Sequence, residues 1–167
     1  MPRDRDLPRD SIIITMLISI AALVAALVAQ YGFDLQPCQL CLYQRAPYVI
    51  VILIALLALV LRLNGKQTAQ LLILCALAFV TNSGIALYHV GVEQHWWAGP
   101  AACSADAGGA QSVEDLIAQL SKPIKIPSCD QIAWSLFGVS MAGYNLLASV
   151  GLAGFSAAMA VRGLGRR

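Results

Sequence analysis

Charged side chains are scarce in this chain. Of its 167 residues only 12% are Asp, Glu, Lys or Arg, against about a quarter in an ordinary soluble domain, while 59% are hydrophobic. That length allows one domain, and so little charge excludes a soluble monomer. Intrinsic disorder is excluded as well, because it needs few apolar residues and a strong net charge, and the formal charge here is +2. There is no basic stripe for nucleic acid. Histidine is rare too: His89 and His95 are the whole supply for haem ligation. A glycine-rich dinucleotide fingerprint after a strand is missing, since no strand is expected, and neither a metal nor a flavin is expected. No internal repeat or low-complexity tract is evident. With a mean hydropathy of +0.71, what remains is a membrane protein.

The few charges act as punctuation. Uncharged intervals run from Ser11 to Phe33, Ala46 to Leu61, Gln67 to Val92 and Gln131 to Val161. About 20 apolar residues cross the hydrocarbon core as a helix, which predicts spans over about 12–32, 46–62, 68–90 and 132–160 within one membrane domain, 1–167. The expected fold is an all-α, four-transmembrane-helix bundle. The second interval is short, but Arg45 and Arg62 at its ends can snorkel to the interface. A cleaved signal peptide could imitate the first span; the run from Ile12 to Ala29 exceeds the roughly 7–15 residues of a signal core and lacks a clear cleavage site, so it reads as a retained helix.

Orientation follows from the basic residues near the span ends. Arg3, Arg5, Arg9, Arg62, Lys66, Arg162, Arg166 and Arg167 lie on one side, against Arg45, Lys122 and Lys125 on the other. Both termini are therefore expected to be cytoplasmic, with segments of about 33–45 and 91–131 facing outward. In the second outward segment Val113, Leu116, Ile117 and Leu120 recur at helical spacing against Glu114, Asp115 and Gln119. They predict a short amphipathic helix in the interface plane, serving as a cap on the bundle, as a carrier of the nearby cysteines, or both.

Four of the five cysteines fall in the outward segments: Cys38 and Cys41 in the first, Cys103 and Cys129 in the second, with Cys75 inside the third span. An outward position means an oxidising compartment, where disulfides persist. Two structural disulfides bracing the loops are one reading. Against it, Cys38-Gln-Leu-Cys41 closes a very small ring, a spacing that serves redox exchange or metal binding more often than bracing. A zinc site is disfavoured because only one of the pairs is close-spaced. Cys41 just precedes the predicted second span, near a helix N-terminus that favours a thiolate. Arg45 follows on the same face and Pro47 suits a first turn. Arg45 also reads as a plain interfacial anchor. A dithiol at a membrane surface must pass two electrons onward, and with no nucleotide or haem site evident the acceptor is expected to be a quinone dissolved in the lipid.

Pro37-Cys38-Gln-Leu-Cys41-Leu-Tyr43-Gln-Arg45 after the first span, the four-span topology and the later pair Cys103 and Cys129 together resemble the disulfide bond formation protein B (DsbB) family of bacterial inner-membrane quinone reductases. The resemblance covers essentially the whole chain. It implies that a periplasmic thioredoxin-fold oxidant, DsbA in that family, attacks Cys103 of a Cys103/Cys129 disulfide. Electrons then reach Cys38/Cys41 through an intermediate joining Cys38 to Cys129, and Cys41 donates to ubiquinone or menaquinone bound with the help of Arg45. It also implies a histidine near the end of the third helix; His89 lies in roughly that region, with an ordinary interfacial histidine as the alternative. His95, Trp96 and Trp97 read as an interfacial belt, Thr81, Asn82 and Ser83 as ties between helices, and Cys75 as an inert buried thiol. Two rivals stand beside this reading. One is a vitamin K epoxide reductase-like enzyme, in which the Cys-x-x-Cys comes after the loop pair rather than before it; the other is a structural tetraspan protein with braced loops.

Overall fold

The computed structural model describes residues 7–100 and 128–165. Four long helices, α1 (Leu7–Gly32), α2 (Gln39–Val60), α3 (Gly65–Glu93) and α4 (Met141–Leu164), form a bundle, and each is long and apolar enough to cross a membrane. A two-stranded antiparallel hairpin, β1 (Ser135–Leu136) and β2 (Val139–Ser140), precedes α4. Large apolar side chains such as Leu17, Val24, Leu53, Leu77 and Leu147 point outward along the helices, as lipid-facing residues do.

Inside, small and polar residues let the helices approach. On α1, Ser11, Thr15 and Ser19 are spaced by four and buried, and each donates its hydroxyl to the carbonyl four residues earlier, at 2.7–2.8 Å. These hydroxyls are satisfied within their own helix and leave a narrow, closely packing face. The core runs in layers along the bundle. Ile12, Ala55, Ala58, Leu72 and Ala160 form one end. Tyr48, Val51, Cys75, Phe79 and Leu152 form the middle. Cys38, Leu40, Val92 and Cys129 close the other end. Helix α3 packs most extensively on α4. At that crossing Gly163 is required: a Cβ there would sit 2.8 Å from Ala69 Cβ and 3.0 Å from Pro8 Cγ.

The predicted spans need two revisions. Helix α2 begins at Gln39 rather than 46, because the sulfur of Cys38 caps it by accepting the Cys41 backbone N–H at 3.3 Å. Pro47 is therefore interior instead of in a first turn, and it has no N–H to offer the Tyr43 carbonyl. The fourth helix begins at Met141 rather than 132. Phe137 and Gly138 take positive φ values of 50° and 78°, which closes a two-residue turn and pairs Ser135 with Ser140 and Leu136 with Val139. The stretch is apolar enough to pass for membrane helix, and it overturns the expectation of no strands. Ser140 then caps α4 through the Gly143 N–H and donates to the Glu93 carboxylate, tying the end of α3 to the start of α4. The amphipathic helix expected over 113–120, together with Cys103, lies outside the described residues.

Candidate active site

The site forms where the N-terminus of α2 meets the last turns of α3. Capping places Cys38 just before the helix and Cys41 in its first turn, so the two sulfurs lie 2.9 Å apart, and both are free thiols. Cys38 is buried and Cys41 half-buried. His89 and Glu93, one turn apart on α3, face them. His89 Nε2 is 3.5 Å from Cys38 Sγ and 3.9 Å from Glu93 Oε1. The hydrogen bond from the Cys41 thiol, aided by His89 and by the Cys41 backbone N–H, holds the Cys38 thiol far below its ordinary 9.0, at about 4, against the opposing effect of burial. The thiolate-favouring helix terminus expected for Cys41 thus belongs, in this dithiol form, to Cys38.

Cys129 is also buried in the cluster that holds Cys38, and it is disulfide-bonded, unlike Cys38, Cys41 and Cys75. A free dithiol and a disulfide sulfur in one buried cluster are the components of thiol–disulfide exchange.

Beside the thiols lies a cavity of about 500 Å³. Apolar side chains of α1 and α4, including Ala22, Leu23 and Ala148, line one part of it, and Cys41, Arg45 and His89 line another. Arg45 follows Cys41 by one turn on the same face of α2, as expected, and lines the cavity with it; its Nη1 donates to Gln30 Oε1 on α1 at 2.7 Å, which ties the guanidinium to the α1/α2 side of the cavity. The donor atoms of Cys38, Cys41 and His89 lie within 4.8 Å of one another, close enough to hold a soft metal ion but one ligand short of a closed tetrahedral set.

A model of the family described as disulfide bond formation protein DsbB matches residues 8–159. The chain belongs to the DsbB family. It is 29% identical over 141 residues to disulfide bond formation protein B of Methylobacillus flagellatus, covering 81% of this chain and 82% of that one. It is 36% identical over 139 residues to the uncharacterized protein RP370 of Rickettsia prowazekii, covering 83% of this chain and 79% of that one. No solved structure matches the chain. As a DsbB-family member the protein is a multi-pass membrane oxidoreductase of disulfide bond formation, which removes the loop-braced structural tetraspan from consideration.

Of the residues singled out from the sequence, the fold brings Cys38, Cys41, Arg45 and His89 to one cavity and buries Cys129 beside Cys38. Cys75 is apart from them, fully buried in the middle layer. Asn82 does tie α3 to α4, donating to Ser149 Oγ at 2.8 Å. Thr81 and Ser83 do not: each donates back to its own helix, to the Leu77 and Phe79 carbonyls. Trp97 stacks on Tyr88 and donates its indole N–H to the Tyr88 carbonyl, and Trp96 is exposed. Sequence reasoning missed Gln30, Gln44, Glu93 and Asn145. The available signal was a polar side chain inside or at the end of an apolar span, where an unpartnered polar group is expensive.

Proposed function

We propose that the protein reoxidises a periplasmic thioredoxin-fold dithiol protein of the DsbA type and passes the two electrons to a membrane quinone, ubiquinone or menaquinone. The observation that carries this reading is the free Cys38/Cys41 pair lining a largely apolar cavity, packed against a disulfide-bonded Cys129. In this reading Cys129 shares its disulfide with Cys103, and the redox segments face the periplasm while both termini face the cytoplasm.

The relay balances as two exchanges and one transfer. The partner's dithiol is oxidised to a disulfide as Cys103/Cys129 is reduced. The Cys129 thiolate attacks the oxidised Cys38/Cys41 pair at Cys38, giving a Cys38–Cys129 bond and releasing Cys41 as thiolate. Cys103 then resolves that bond, leaving Cys103/Cys129 oxidised and Cys38/Cys41 reduced. A quinone, when bound, supplies the capacity to take up two electrons and two protons as the Cys38/Cys41 disulfide re-forms. The residues present fit such an acceptor: the apolar wall suits a lipid-soluble ring and tail, while the Arg45 guanidinium offers a fixed cation to ring oxygen. His89 and Glu93 stand beside the sulfurs as proton carriers.

The test is single-turnover reduction of a short-chain ubiquinone by the full-length protein in lipid nanodiscs, driven by a reduced thioredoxin-fold dithiol protein and followed by quinone absorbance. Stoichiometric reduction in the wild type, abolished by Cys41→Ser, is the expected result. Cys103→Ala should block electron entry from the partner yet leave the chemically reduced protein able to reduce quinone. Turnover retained by Cys41→Ser, or no quinone reduction by the wild type, refutes the reading.

A further inference from the structure

Behind His89 runs a chain of buried hydrogen bonds with one direction. Tyr48 donates its hydroxyl to Asn145 Oδ1, Asn145 Nδ2 donates to Gln44 Oε1, and Gln44 Nε2 donates to His89 Nδ1 at 2.7 Å. Asn82 Nδ2 lies 3.5 Å from the same Asn145 Oδ1, so that oxygen faces donors from both α2 and α3. Each of the two central amides therefore turns its oxygen away from the cysteines and its nitrogen toward them. Gln44, Tyr48 and His89 are all buried, where an unmet donor or acceptor would be costly, and this arrangement gives each of them a partner along the line from Tyr48 to His89.

The consequence falls on the imidazole. A neutral histidine whose Nδ1 accepts a hydrogen bond carries its proton on Nε2, and Nε2 is the nitrogen 3.5 Å from Cys38 Sγ. We propose that Gln44 and Asn145 are positioning residues that hold His89 in the Nε2–H form and aim that donor at Cys38. The inference rests on the exchange role given above to Cys38 and Cys41, and adds a device that reinforces the charge on Cys38 beside the Cys41 hydrogen bond. Without it His89 could take the opposite tautomer, in which Nε2 is an acceptor and stabilises the protonated Cys38 thiol instead. Asn145 touches neither sulfur; it acts through Gln44, from a helix that contributes no thiol. Among the described residues, the titratable and charged groups facing the Cys38 sulfur or lining its cavity are Cys41, Arg45 and Tyr48 from α2, His89 and Glu93 from α3 and Tyr144 from α4.

The tautomer is read directly by nitrogen-15 NMR of histidine-labelled, reduced, full-length protein in nanodiscs, with His95→Gln leaving His89 as the single signal. A proton on Nε2 and none on Nδ1 is expected. A ring protonated at Nδ1, alone or together with Nε2, overturns the proposal. In Gln44→Leu and in Asn145→Leu the Nε2–H preference should be lost, and alkylation of Cys38 by iodoacetamide, resolved from Cys41 by mass spectrometry, should become pH-dependent, rising by about tenfold or more between pH 5 and 8 where the wild type stays nearly flat, as the sulfur retains its proton at the acid end. Unchanged alkylation in both variants overturns the proposal as well. The wild-type spectrum decides the question even where a variant does not fold. It needs no electron acceptor, so it is independent of the quinone-reduction assay.

Discussion

The charge state of Cys38 makes a prediction whose size can be worked out. An ordinary thiol near 9.0 is about 0.1% thiolate at pH 6, whereas one held at about 4 is about 99% thiolate, a gain of about 10³ in the reactive form. The more acidic thiolate is also the weaker nucleophile: with a Brønsted coefficient of about 0.4–0.5 the same interval removes about 10² to 10²·⁵. Cys38 should therefore be only about three- to tenfold faster than an ordinary thiol at pH 6, and its burial lowers that further. The shape of the profile is the sharper signature. Between pH 5 and 8 an ordinary thiol accelerates about 1000-fold, while Cys38 should change by less than a factor of about two. The assay is alkylation of the reduced full-length protein by iodoacetamide across that range, with the Cys38 adduct quantified by mass spectrometry. A Cys38 rate climbing about tenfold per pH unit would refute the argument. Stability should follow the same group. A depressed folded-state value stabilises the fold fully above about 9 and loses that contribution as pH falls through about 4, so the reduced protein should gain stability with rising pH across this window. The Cys38/Cys41-oxidised protein, which has no thiol there to titrate, should not.

Two further outcomes follow from packing. Gly163→Ala should lower stability by about 1–3 kcal/mol in detergent unfolding, because the new methyl meets Ala69 on α3 and Pro8 on α1; Gly154→Ala, with open space around it, should be neutral or slightly stabilising. Cys75→Ala should leave quinone reduction unchanged and destabilise by about 1 kcal/mol, since the thiol is fully buried in the middle apolar layer and does not line the cavity; a loss of turnover in a folded variant would place Cys75 in the electron path.

Much of the architecture was legible in the sequence because a bilayer imposes one-dimensional rules. Uncharged intervals bounded by Arg and Lys marked four spans, and the Cys-x-x-Cys with its arginine marked the end of the bundle that holds the cavity. Helix boundaries were less legible. The start of α2 depends on which atom caps it, and a cysteine sulfur is a less familiar cap than the Asn64 and Ser140 oxygens that begin α3 and α4. The hairpin before α4 was hidden for a related reason: Ile132 to Val139 is apolar enough for helix, and its turn rests on two residues of positive φ, one of them Phe137.

The sequence by itself determined the environment and the number of crossings and singled out Cys38 with Cys41, since hydropathy, charge placement and cysteine spacing act along the chain. Tertiary structure alone decided how those groups are tuned. It brought His89 from α3 to within reach of Cys38 and turned Arg45 toward Gln30, and it drew Asn145 from α4 into line behind Gln44. The Cys41 thiol and backbone N–H, which act within α2, favour Cys38 as the thiolate, and His89 adds to them only because the fold packs the end of α3 against the start of α2.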